Sequence, residues 1–95
     1  VRVSFNRFAE QELVAAARHL EIERHLGVAF LDEYEAWERQ VLAFPDSCRE
    51  IAPTIRCGYL PRFKYHVTYQ FRGDVIRILY LRHARRGPLD KWTRR

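Results

Sequence analysis

Hydrophobic and polar positions along the chain change period three times, and each change marks a new element. Val1, Val3 and Phe5 alternate with Arg2 and Ser4, the period-two signature of a short strand with one buried face. Asn6 suits a helix N-cap, and from there Leu13, Ala16, Ala17 and Leu20 recur at helical spacing opposite Glu10, Glu12 and Arg18, which predicts a helix over about residues 7–24. Gly27 interrupts that stripe. Phe30, Leu31, Tyr34, Trp37 and Val41 then form a second helical stripe, with Tyr34 and Trp37 read as core. Pro45 disfavours helical geometry at Phe44, so the second helix should stop there and Pro45-Asp46-Ser47 should open a loop.

Beyond the loop the period returns to two. A strand at about 55–60 precedes Pro61. Phe63, Tyr65, Val67, Tyr69 and Phe71 then alternate with Lys64, His66, Thr68 and Gln70, giving one apolar and one polar face. Arg72-Gly73-Asp74 supplies a tight turn into a last strand over residues 75–83. In that strand both Val75/Leu79/Leu81 and Ile76/Ile78/Tyr80 look suited to burial, as in a central strand. The expected architecture is α+β with the order β-α-α-β-β-β: a helical hairpin packed on one face of an antiparallel sheet, the other face open and carrying Lys64, His66 and Gln70, with Arg62 at its rim.

Ninety-five residues allow one domain, 1–95, with a core small enough that a bound partner would add much of the working stability. No apolar run approaches the roughly 18 residues of a membrane span, and the first residues lack a signal-like stretch, so the expectation is a cytoplasmic protein with no membrane contact. In that compartment Cys48 and Cys57 read as free thiols. Charge is divided along the chain: residues 1–44 carry five Arg or Lys against eight Asp or Glu, and residues 45–95 carry twelve against four. A basic half of this kind attracts nucleic acid or acidic protein segments over about a Debye length. Arg56, Arg62, Lys64, Arg82, Arg85, Arg86, Lys91, Arg94 and Arg95 are the cations that could form one surface, with Arg94 and Arg95 expected to be mobile terminal residues that contribute little. No Gly-rich phosphate loop, metal-ligand spacing or serine–histidine pair is present, and no cofactor is implied.

The element order, the Leu26-Gly27-Val28-Ala29-Phe30-Leu31 junction, the strand from Phe63 to Tyr69 and the ending His83-Ala84-Arg85-Arg86-Gly87-Pro88 with Trp92 resemble the RelE/ParE family of toxins from type II toxin–antitoxin systems, over nearly the whole chain. The resemblance implies a growth-inhibiting toxin held inactive by a cognate antitoxin in a hetero-oligomer. Family members divide by target. RelE-like proteins cut messenger RNA in the ribosome without a metal, whereas ParE-like proteins, including plasmid stabilisation proteins, inhibit DNA gyrase. For RNA cleavage the candidates are Lys64 and Arg62 on phosphate, Arg85 as the arginine after the last strand, and His66 or His83 for proton exchange.

Two departures favour the ParE branch. His66 stands where the nucleases carry an arginine, and Trp92, which has no hydroxyl, matches their C-terminal tyrosine. As plain structural residues, His66 would be a half-exposed strand residue and His83 an anchor for the tail against the sheet. Arg56, Arg62, Lys64, Arg82, Arg85, Arg86 and Trp92 are then the expected contacts to target or antitoxin. An unrelated small nucleic-acid-binding domain is the weaker alternative, resting on charge alone.

Overall fold

The computed structural model describes residues 1–87 and Arg94. Its elements are β1 (Arg2–Phe5), α1 (Arg7–Arg24), α2 (Gly27–Ala43), β2 (Arg49–Ala52), β3 (Ile55–Leu60), β4 (Tyr65–Arg72), β5 (Val75–His83) and a 3-10 turn, η1 (Ala84–Arg86). Asn6 caps α1 as its residue type suggests, its side chain accepting from the backbone N–H of Phe8 at 2.8 Å and of Ala9 at 3.3 Å. His25 ends the helix in a left-handed conformation. Gly27 starts α2 where the helices touch: a Cβ there would lie 2.8 Å from the Ala17 carbonyl oxygen and 2.9 Å from Glu21 Cβ. The glycine thus sets the angle of the hairpin as well as the break between its helices.

The strands form one sheet in the order β1-β5-β4-β3-β2. β2 through β5 are antiparallel as expected, while β1 joins β5 in parallel because the chain crosses one face through the helical hairpin before returning. The α+β order is as read from the sequence, with one strand more. Arg49–Ala52 pairs at the edge of β3 with a register shift between Glu50 and Ala52. Four residues with no clean alternation gave no signal for it.

The ambiguity of β5 has a physical origin. Thr68 pairs with Tyr80 and Tyr69 with Ile78, so Leu79 is an extra residue, a β-bulge that shifts the alternation by one. Ile76 and Ile78 before the bulge, and Leu81 after it, all join the helix-side core. There they meet Phe30, Tyr34, Trp37 and Val41 of α2 and Val67 and Tyr69 of β4. Phe30 and Tyr65 rings lie 5.1 Å apart, and Trp37 and Tyr69 5.8 Å apart. Burying each large apolar side chain contributes about 1.5–3 kcal/mol, so this single layer between helices and sheet carries most of the fold's stability.

Candidate functional site

The open face is ordered by cross-strand register. Residues paired directly across neighbouring strands share a face, so Tyr59 of β3, His66 of β4 and Arg82 of β5 form one row, and Cys57, Thr68 and Tyr80 the next. Tyr59 and His66 are exposed, with rings 4.9 Å apart, and His66 Nδ1 lies 3.7 Å from Cys57 Sγ. Burial raises the Cys57 thiol above its ordinary value, with a partial opposing effect from the Thr68 hydrogen bond. In the sequence Tyr59 was not singled out and Cys57 was read only as a free thiol, although their alternation with Gly58 and Leu60 places them on the open side.

Lys64 is not on this face. The strand expected from Phe63 begins at Tyr65, and residues 61–64 form the turn between β3 and β4, with Lys64 at φ 62°. Its N–H donates to the Leu60 carbonyl at 2.8 Å, closing the turn, while its carbonyl accepts from Ala84 N–H at 2.8 Å. The turn therefore sits against the start of η1. Glu33 of α2 holds the turn from beneath, its carboxylate accepting from the N–H groups of Arg62 at 2.8 Å and Phe63 at 3.3 Å. Arg62 is exposed, its guanidinium 5.1 Å from the Phe63 ring.

β4 starts and β5 ends at the same end of the sheet, so Arg62, Lys64, His66, Arg82, His83, Arg85 and Arg86 gather there. Arg56 does not join them. It lies on β3 toward the opposite end, donating to the carbonyls of Asp46 at 2.9 Å and Cys48 at 2.6 Å and pairing with Glu50 at 3.6 Å. Its role is to hold the entry to β2. Trp92 and Lys91 lie outside the described residues.

Within the cationic end the groups differ in freedom. Arg82 donates from Nε to the Gly87 carbonyl at 3.1 Å and from Nη2 to the Arg86 carbonyl at 2.8 Å, bracing η1 against β5. His83 caps η1: its Nδ1 accepts from Arg85 N–H at 3.0 Å, and its ring stands edge-on to Tyr65 at 5.1 Å. A ring nitrogen spent on the chain's own backbone is not directed at a reacting group. Arg85 and Arg86 remain exposed on the turn so built. The arrangement suits a rigid presentation of cations to an acidic surface, and among the described residues no group of three or more His, Cys, Asp or Glu could hold a metal.

The same architecture occurs in a solved chain of the "Chromosomal ParDE TA system from P. aeruginosa", with a TM-score of 0.65 and 20% identity, covering 87% of this chain and 95% of that one. The fold is RelE/ParE-like. No protein-family model and no curated protein matches the sequence. In this ParE-like fold no helix among the described residues is long and apolar enough to cross a membrane.

Proposed function

We propose that the chain is the toxin of a type II toxin–antitoxin pair, acting in the cytoplasm by the ParE-like route: it binds and inhibits an essential protein such as DNA gyrase and is neutralised by a cognate antitoxin. One observation carries the choice of binding over cleavage. His83 Nδ1 is committed to capping η1 and Arg82 to bracing it, so the turn displays Arg85 and Arg86 as exposed cations while the imidazole nitrogen on that turn already accepts from the Arg85 N–H. Lys64 and Arg62, in the neighbouring turn whose Arg62 and Phe63 amides Glu33 holds, extend the same surface. Charge-assisted contacts to carboxylates of a partner are what such a surface makes best.

The test is induction of the chain alone in bacteria, with growth, plasmid supercoiling and message integrity followed in one culture. The proposal expects growth arrest and loss of supercoiling, both relieved by Arg85→Ala/Arg86→Ala, with messages intact throughout. Normal supercoiling would overturn gyrase inhibition. The exposed Tyr59 and His66 rings, in one row with half-buried Arg82, favour a second reading, a RelE-like ribonuclease that stacks an unpaired base on the two rings. That reading expects ribosome-dependent message cleavage lost in His66→Ala.

A further inference from the structure

Cys57 pairs with Thr68 across β3 and β4, and Tyr59 with His66, so Cys57 and His66 are diagonal neighbours on the open face. Their side chains meet there, with Sγ 3.7 Å from Nδ1. The imidazole also packs on the Tyr59 ring at 4.9 Å, and Thr68 Oγ1 donates to the sulfur at 4.0 Å. The thiol's own proton has acceptors in the Gly58 carbonyl at 3.6 Å and in Nδ1. Cys57 is half-buried and His66 exposed, so the pair is open to solvent on one side. Cys48, the other cysteine of the chain, packs against the helix-side core instead.

We infer that Cys57 Sγ and His66 Nδ1 form a two-coordinate site for a soft monovalent d10 cation, of which Cu⁺ is the biological example and Ag⁺ the mimic. Donor type excludes the hard ions, since a thiolate and an imidazole favour soft and borderline metals over Mg²⁺ or Ca²⁺. Donor number then decides among the rest. Zinc takes four donors in a tetrahedron, and among the described residues no third His, Cys, Asp or Glu is placed to hold a metal with the pair. A monovalent d10 ion is satisfied by two. With metal–donor bonds of about 2.0–2.3 Å, sulfur and nitrogen would stand roughly 4 Å apart, which a small rotation of the Cys57 side chain supplies. Charge points the same way. Burial disfavours a bare thiolate and raises the Cys57 thiol above its ordinary value. A monovalent cation that displaces the thiol proton to solvent leaves a neutral thiolate–metal–imidazole unit, the imidazole keeping its proton on Nε2. A divalent ion would leave a net positive charge beside Arg82, the cross-strand partner of His66. The site is independent of the toxin reading.

The test uses the full chain, reduced and under argon, drawing Cu⁺ from its coloured bicinchoninate complex while the His66 ring nitrogens are followed by NMR. One ion per chain is expected to transfer, with the resonance of Nδ1 rather than Nε2 showing coordination. Cys57→Ser should abolish transfer, and Cys48→Ser should leave it unchanged. His66→Gln should weaken binding at least about tenfold, a loss that even groups one shell beyond the ligands cause. Because His66 is exposed, that variant keeps the test decisive if Cys57→Ser folds poorly. No transfer, coordination at Nε2, or undiminished binding in His66→Gln, which would mean a thiol acting alone, would overturn the proposal. Tighter binding of Zn²⁺ with one ion per two chains would overturn it too, by assigning the pair to a four-donor site shared between copies.

Discussion

His83 Nδ1 accepts a hydrogen bond from the backbone N–H of Arg85, so the imidazole that looks like a proton carrier in the sequence is the cap of the turn that displays the arginines. A cap and a general base respond differently to substitution. Asparagine reproduces an acceptor two residues before the capped amide, whereas alanine removes it, and losing a cap costs about 1 kcal/mol. His83→Asn is therefore expected to retain growth arrest when induced, and His83→Ala to reduce it together with thermal stability. Equal and complete loss in both variants, with unchanged melting temperatures, would show that the imidazole does chemistry.

Gly58 lies beneath the Trp37 indole: a Cβ there would come to 2.7 Å from both Cε2 and Cζ2. The ring cannot withdraw easily, because it is wedged between Tyr34 and Tyr69 at centroid distances of 5.8 Å on each side. Gly58→Ala should cost about 1–3 kcal/mol through overpacking, read as a lower urea midpoint at unchanged slope. An unaffected midpoint would mean that β3 can move away from α2.

Glu33 accepts from two successive backbone amides of the turn bearing Arg62 and Lys64. Each such bond contributes about 0.5–1.5 kcal/mol, and more where the acceptor is charged. Glu33→Ala should speed amide exchange at Arg62 and Phe63 well beyond any change in global stability. Uniform acceleration over the whole sheet would instead mean that the carboxylate supports the fold rather than the turn.

Strong periodicity made much of this molecule legible. Asn6, Gly27 and Pro45 delimit the helices as their backbone chemistry requires, and the alternation from Tyr65 to Phe71 marks the face that meets α2. What the sequence hid depends on tertiary neighbours. Leu79 looked like one more alternating position because a bulge has no residue signature of its own. Lys64 continued the alternation into what is a left-handed turn, because nothing local announces that Glu33, about thirty positions away, will pin the preceding amides. Arg56 counted as one more cation until the carbonyls of Asp46 and Cys48 claimed it. The basic surface was visible as composition. Which of its members are free is a property of the folded backbone.

Alkaline pH is where the core should fail. Tyr34 is pushed far above its ordinary value of 10.0, by burial first and then by its hydrogen bond to the Glu38 carboxylate and that group's charge. Burial also raises Tyr69 and Tyr65 from 10.0 and Cys57 from 9.0. These groups are neutral when protonated, and each binds its proton more tightly in the fold than in the unfolded chain. Their contribution is complete below the ordinary values and is lost as pH climbs past them, since the unfolded state then gains by releasing protons that the fold retains. Stability measured by urea unfolding should thus be flat near neutrality and fall from about pH 9 to 10 upward. Tyr34→Phe should start lower at neutral pH, by about 0.5–1.5 kcal/mol for the lost hydrogen bond, but decline less steeply with pH. Parallel declines in the two proteins would mean that Tyr34 ionises in the folded state, and that burial beneath α2 does not hold its proton.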